Sequence, residues 1–116
     1  MSKDLLLLLD PQFEDPALGH ERAWFCPDCA MVYQALQLNP HWAQAIDIEQ
    51  IGFVRPRKRV ITLVGEDHQS LPLLVFGDPN TAPATSLEAN GKRFLQGGRE
   101  ITAALAARYG GVGPHP

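Results

Sequence analysis

The stretch WFCPDC at residues 24–29 decides how the rest of the chain is interpreted, because it places two cysteines three positions apart at the start of a predicted helix. That helix is predicted over residues 27–38, where apolar residues recur on one face and Asn39-Pro40 supplies a stop. Pro27 suits the first helical position, whose N–H has no partner inside the helix. Cys26 therefore lies just before the helix and Cys29 one turn inside it, on the same face.

This placement predicts thiol chemistry. The amino end of a helix offers free N–H donors and the positive end of the helix dipole, and both stabilise a thiolate at Cys26. Cys29 would then attack a mixed disulfide formed on Cys26 and release the bound partner. We expect Cys26 to be the nucleophile and Cys29 the resolving thiol.

Two other interpretations of the cysteine pair stay open. The spacing also suits half of a zinc site, but a closed site needs four ligands. The chain has no second cysteine pair, and its four histidines are scattered, at His20, His41, His68 and His115. Both thiols would also be inert if the scaffold serves another purpose. No resident cofactor or metal is expected.

Working outward, periodicity and turn signals predict an alternation of strands and helices. A buried strand is predicted at 5–9, where five leucines end at Asp10-Pro11. The other predicted elements are a long loop from Pro11 to Phe25, strands at 46–53, 73–76 and 93–95, helices at 56–64 and 98–109, a polar connection at 77–92, and a loose tail at 111–116.

This order predicts a βαβ unit with two parallel strands, followed by an antiparallel hairpin and a last helix. The 116 residues suit one domain spanning 1–116. The predicted fold class is α/β, a βαβ-ββα three-layer sandwich with a four-stranded mixed sheet.

Three motifs in this order resemble the thioredoxin and glutaredoxin superfamily. Cys26-Pro27-Asp28-Cys29 is similar to the active-site motif of glutaredoxins. Residues 70–73, Ser-Leu-Pro-Leu, are similar to the segment that holds the family's cis-proline, and residues 95–98, Leu-Gln-Gly-Gly, to the glycine pair that opens the final helix. The chain also resembles a small bacterial family of this fold whose members have no assigned activity.

The resemblance implies a thioredoxin-like fold, a redox-active CxxC disulfide and a set of substrate contacts. It implies a cis bond before Pro72, where local sequence alone favours an ordinary trans proline at a strand start. The main chain of Leu71 would pair with an extended thiol substrate. Gly97 and Gly98 would offer free N–H groups to a carboxylate such as those of glutathione, a possible co-substrate, or would simply form a tight turn. Trp24 and Pro27 are expected to contact substrate beside the cysteines.

Several residues depart from the family pattern. The loop from Pro11 to Phe25 is longer than usual and would cover the site or carry a partner surface. No lysine lies beside the cysteine motif. Asp28 favours the helix dipole but opposes a nearby thiolate, and Asp10 would act as a base toward Cys29 or cap its strand. The basic residues at 55, 57, 58 and 59 are interpreted as a solvated helix face.

Composition limits the classes of partner. Net charge is −3 and the sequence is 45% hydrophobic, which disfavours a general nucleic-acid binder and predicts a globular domain. The longest apolar run near the start, 5–9, is too short to span a membrane or to form a signal-peptide core. We expect a cytoplasmic protein that exchanges thiols with a protein or small-molecule disulfide. A non-catalytic adaptor on the same scaffold is the alternative function.

Overall fold

Strand β1, Leu5–Leu9, is an interior strand of the sheet in a computed structural model that describes residues 2–116. Successive side chains of a strand point to opposite faces of a sheet. Leu6 to Leu9 are all buried, so both faces of the sheet are covered at its centre. The strand has the predicted bounds, although leucine by itself favours helix.

Within residues 2–116, one mixed sheet contains all the strands, in the order β2-β1-β3-β5-β4. Strand β2, Asp47–Ile51, runs parallel to β1, with Leu9 opposite Ile51 at their carboxyl ends. Strand β3, Leu73–Val75, is antiparallel to β1 on its other side. The predicted parallel pair is therefore present.

The sheet has five strands, so the prediction of four was wrong. The additional strand β4, Leu87–Ala89, lies in the segment predicted as a polar connection and pairs antiparallel with β5, Lys92–Gln96. Asn90 and Gly91 join them in a two-residue turn with φ angles of 51° and 72°. Asn-Gly favours this left-handed geometry, but a three-residue strand has too little apolar pattern to be recognised beside it.

Four helices accompany the sheet: α1, Pro27–Leu38; α2, Trp42–Ala45; α3, Lys58–Val64; and α4, Gly98–Tyr109. Helices α1 and α4 pack against each other. Trp42 of α2 is fully buried, and its indole N–H donates to the carbonyl of Gly110 at 2.8 Å. None of the helices in residues 2–116 is long and apolar enough to cross a membrane.

Hydrogen bonds and an aromatic contact hold the loop between β1 and α1 in place. The main chains of Phe13 and Trp24 exchange two hydrogen bonds, of 2.9 and 2.8 Å. The Phe13 ring stacks on that of Phe53, with centroids 4.5 Å apart, which fastens the loop to the segment after β2. The 11–25 loop thus closes on itself before it enters α1.

The two ends of the chain are tied to the body of the protein. Buried Asp4 accepts hydrogen bonds from the Tyr109 hydroxyl, from the N–H of Gly77 and from Arg108, whose Nε lies 2.9 Å from the carboxylate. The tail at 111–116, predicted to be loose, is hydrogen-bonded to Asn39, the residue after α1, whose side chain bonds both the N–H and the carbonyl of Val112.

Candidate functional site

Cys26 lies at the amino end of α1, immediately before its first residue. Its backbone is extended, with φ −81° and ψ 116°, and its Sγ accepts a hydrogen bond from the N–H of Cys29 at 3.2 Å. The sulfur thus takes the place that a serine or aspartate oxygen occupies in other helix caps. It is partly exposed, so a reagent has access to it. A thiolate there receives a donated N–H and the positive end of the helix dipole.

Cys29 lies one turn further on and has a different environment. Its side chain is 2% exposed and belongs to the hydrophobic core. Burial raises its pKa to about 12, and the hydrogen bond and charge of Cys26 add to the rise. A backbone hydrogen bond from Leu9 opposes the rise in part. At neutral pH Cys29 is therefore a thiol, not a thiolate.

Both cysteines line a pocket of about 370 Å³ between the end of β1 and α1. Asp10 and Pro11 form one side, and Phe25 and Tyr33 lie on the α1 side. The Tyr33 hydroxyl donates to the carbonyl of Leu9 at 2.7 Å, which ties this lining residue to the end of β1. Of the described residues that line the pocket, only Asp10 carries a charge. Pro11 and Phe25, the two ends of the long loop, both line the pocket.

The side chain of Asp28 in α1 is hydrogen-bonded to the start of α4. Its Oδ1 accepts the N–H of Gly98 at 2.8 Å. A Cβ on Gly98 would lie 2.6 Å from the backbone oxygen of Asp28, so only glycine fits this approach. The expectation that Gly98 offers a free N–H to a carboxylate is wrong, because a carboxylate within the chain already holds that donor. Gly97 has φ +98°, and the glycine pair is explained by the turn and the close packing of two helices.

The other predicted substrate contacts are placed differently. Pro27 is exposed beside Cys26, and Trp24 is half-buried under the guanidinium of Arg22, which lies 4.7 Å from its ring. Leu71 and Pro72 are buried and do not line the cysteine pocket. The bond between them is cis, as the resemblance implied. In the described part of the chain, the main chain of Leu71 makes no hydrogen bond.

Sequence reasoning missed Arg57. The basic cluster was interpreted as a solvated face, which is wrong for this residue because it is 6% exposed. Its guanidinium donates to the carbonyls of Phe53 and Gln69, with Nη1 2.9 Å from the Gln69 oxygen. Arg59, two positions on, is exposed and pairs with Glu49 as expected of a helix surface. No local signal separates the two arginines, because burial depends on the fold.

Within residues 2–116, no three histidine, cysteine, aspartate or glutamate side chains come together as a group able to hold a metal ion.

Comparison with known proteins identifies a family but no activity. The family model described as "Protein of unknown function (DUF3088)" matches residues 3–113, nearly the whole chain. No curated protein and no solved structure matches the sequence.

Proposed function

We infer a function from the cysteine site, because the chain belongs to the DUF3088 family, whose description gives no activity. We propose that it is a thiol–disulfide oxidoreductase with Cys26 as nucleophile and Cys29 as resolving thiol. The observation that carries the proposal is the position of Cys26, a partly exposed sulfur that accepts the N–H of Cys29 at the amino end of a helix. This geometry stabilises a thiolate and leaves it open to attack a disulfide.

The reaction balances within two exchanges. The Cys26 thiolate attacks one sulfur of a substrate disulfide, forming a mixed disulfide and releasing the other substrate sulfur as a thiolate. Cys29 then loses its proton to solvent or to Asp10, attacks the Cys26 sulfur and releases the second substrate thiolate. The substrate gains two electrons, and the protein is left with a Cys26–Cys29 disulfide. An external dithiol reductant returns it to the reduced form.

The burial of Cys29 separates the two exchange steps in time. In the reduced protein, the pKa of Cys29 is about 12, mainly because of burial, and the charge of Cys26 contributes to the rise. That charge disappears when Cys26 enters a mixed disulfide. The pKa of Cys29 therefore falls at the step in which it must ionise. Cys29 stays protonated while Cys26 captures substrate and becomes easier to ionise afterwards.

The topology supports a thioredoxin-like scaffold for this chemistry. Strands β1 and β2 form one parallel pair, and β3 and β5 form an antiparallel pair beside it, as the sequence predicts for a βαβ unit followed by a hairpin. The short strand β4 is an addition at the edge of that sheet. In a reducing compartment such as the cytoplasm, both cysteines would be held as thiols between reactions.

The site favours a protein disulfide over glutathione as substrate. Glutathione carries two carboxylates, while the pocket has one charged residue among its described lining, the acidic Asp10. The N–H of Gly98 is already bonded to Asp28. Phe25, 64% exposed at the mouth of the pocket, offers apolar contact instead.

Insulin reduction in the presence of dithiothreitol tests the proposal. We expect the wild-type protein to accelerate insulin reduction and Cys26→Ser to abolish the acceleration. Cys29→Ser, mixed with insulin without reductant, should accumulate a mixed disulfide visible as a mass increase. Hydroxyethyl disulfide with glutathione, assayed in parallel, should be a poorer substrate than insulin.

Other outcomes reject specific parts of the proposal. If the wild-type protein and Cys26→Ser give the same rate of insulin reduction, the protein is not an oxidoreductase, and the adaptor function stands. If the glutathione assay gives the faster turnover, the substrate class is wrong while the redox chemistry remains.

A further inference from the structure

The pocket beside the two cysteines combines one carboxylate with aromatic rings and amide side chains. Its volume of about 370 Å³ lies in the range of small ligand sites. Asp10 supplies the carboxylate, Phe25 and Tyr33 the rings, and Gln34 and Gln37 the amides. A mixed lining of this kind suits a long side chain that has an alkyl stem and a positively charged end.

The main chain of Asp10 is fixed in the pocket wall, while its carboxylate has no cation beside it. Its N–H donates to the carbonyl of Ile51 at 3.0 Å, which holds the residue at the end of β1. The side chain is half-buried. Within residues 2–116, the salt bridges are made by other carboxylates, those of Asp4, Glu14 and Glu49. A half-buried carboxylate attracts a cation more strongly than an exposed one, because less water screens its charge.

The arginines near the site in sequence or space are directed to other partners. The guanidinium of Arg22 lies over the ring of Trp24, 4.7 Å from its centroid. That of Arg57 donates to the carbonyls of Phe53 and Gln69. No described lysine, arginine or histidine lines the pocket. A cation beside Asp10 would therefore come from a bound molecule.

The aromatic side chains of the pocket offer surface for an alkyl stem. Phe25 is 64% exposed, so its ring is open to contact. The Tyr33 hydroxyl donates to the carbonyl of Leu9 and accepts from the amide of Gln50 at 3.2 Å. Tyr33 therefore contributes mainly its ring to the pocket, because its hydroxyl already has partners on both sides. The stem of a lysine or arginine packs well on such rings, and its charge is attracted to their faces.

The two glutamines and the position of Cys26 fit a side chain that is attached to the substrate's own cysteine. Gln34 and Gln37 are exposed and three residues apart on α1, so they share one helix face. Their amide oxygens can accept N–H groups. A substrate held on Cys26 begins at the pocket wall. The residue next to its cysteine is only about 3.8 Å further along the chain, measured between Cα atoms.

We propose that the pocket is a specificity subsite for a lysine or arginine next to the reacting cysteine of a protein disulfide, and that Asp10 selects this side chain. The inference rests on the proposed function and deepens it, because it states which protein disulfides are preferred. An apolar side chain would fill the same space but would cover the Asp10 carboxylate without pairing it. A glutamate would place two negative charges side by side.

Activated peptides test the subsite in a Cys29→Ser background, where one thiol reacts. Each peptide is X-Cys-X with blocked ends, its cysteine is joined to 2-thiopyridine, and X is lysine, leucine or glutamate. Cys26 attacks the peptide sulfur, a Cys26–peptide disulfide forms as the original disulfide breaks, and 2-thiopyridone leaves. The absorbance of 2-thiopyridone gives the second-order rate constant. Dividing this constant by that for β-mercaptoethanol with the same peptide corrects for differences in the peptides' own reactivity.

The lysine peptide should have the highest corrected rate and the glutamate peptide the lowest. A partly exposed ion pair changes an equilibrium by up to about fivefold, and repulsion of glutamate acts in the opposite sense. We therefore expect a corrected lysine-to-glutamate ratio of about tenfold. Asp10→Asn, which keeps the size of the side chain and removes the charge, should lower that ratio about threefold or more. Comparing ratios cancels any effect of Asp10 on the reactivity of Cys26 itself.

The matched control is Asp47→Asn. It makes the same substitution at an exposed residue opposite Leu5, at the other end of the β1–β2 pair. It should leave the corrected ratio unchanged. If Asp10→Asn and Asp47→Asn alter the ratio equally, the preference comes from net charge and the subsite is refuted. A leucine peptide that reacts fastest also overturns the proposal, because the pocket would then select apolar side chains.

A crosslink made with Asp10 unaltered covers the case in which Asp10→Asn does not fold. After capture of the lysine peptide, a carbodiimide activates carboxylates, and a neighbouring lysine amine forms an amide as the activating group leaves as a urea. Peptide mapping should find the lysine joined to Asp10. A crosslink found only at other carboxylates overturns the proposal. A Cys26 that captures none of the three peptides refutes the proposed function and the subsite with it, whereas equal corrected rates refute the subsite alone.

Discussion

Burial of Cys29 leads to a large and measurable difference between the two thiols. With a pKa of about 12, roughly one Cys29 side chain in 10,000 is ionised at about pH 8. An ordinary cysteine, with a pKa near 8.5, is about one-quarter ionised at that pH. The thiolate is the form that reacts, and its greater nucleophilicity at high pKa offsets part of the difference, so Cys29 in the folded protein should be alkylated on the order of 100-fold more slowly than an unfolded cysteine.

The assay is timed alkylation of the reduced protein with iodoacetamide, followed by peptide mapping of each cysteine. We expect Cys26 to be modified first. The rate at Cys29 should rise about tenfold for each pH unit between pH 7 and 10, because that range lies well below its pKa. In denaturant the two rates should converge. Cys26→Ser removes the smaller contribution of the Cys26 charge, so Cys29 should remain slow because burial is the main cause.

One result would refute this reasoning. If Cys29 of the folded Cys26→Ser variant is alkylated near pH 8 within about tenfold of its rate in denaturant, burial does not suppress its ionisation. The buried first turn of α1 would then be open to solvent in the folded protein, and the order of the two exchange steps would lose its basis.

Two further predictions concern the contacts that hold the site and the chain ends. Gly98→Ala should lower the free energy of unfolding by about 1–3 kcal/mol, or Tm by roughly 4–12 °C, because its Cβ would lie 2.6 Å from the Asp28 oxygen. Gly52→Ala, whose Cβ meets no atom within 4 Å, is the control in the same thermal melt and should leave Tm nearly unchanged. Asp4→Ala should cost about 3–5 kcal/mol in urea unfolding, since it leaves the partly buried Arg108 without its carboxylate; a loss below about 1 kcal/mol would contradict the assigned contact.

The first half of the fold could be predicted because its signals are local and strong. The five leucines of β1 stop at Asp10-Pro11, and α1 stops before Asn39-Pro40, so both elements have the predicted bounds. Strand β4 could not be predicted in this way, because it has three residues and is largely exposed. Its pairing with β5 depends on the turn between them and not on an apolar pattern of its own.

The candidate site likewise contains residues that local sequence predicts and residues whose roles depend on distant contacts. The positions of Cys26 and Cys29 on α1 follow from a short motif and a helix start, so the sequence predicts them. The bond from Gly98 to Asp28 joins residues 70 positions apart, and it reverses the role expected for that glycine. In the sequence, Arg57 cannot be distinguished from its exposed basic neighbours. Its burial results from the folding of the segments around it.

The all-leucine strand also affects how the chain reaches its native state. Strand β1 pairs with 47–51 and 73–75, so none of its neighbours in the sheet comes from nearby sequence. Distant pairings of this kind are slow to form, and during synthesis Leu5–Leu9 emerges long before either partner. The most apolar segment of the protein therefore stays exposed to solvent until these distant strands are available to pair with it. Asp4 and Asp10, which flank it, place a negative charge at each end of the run and oppose its self-association in that interval.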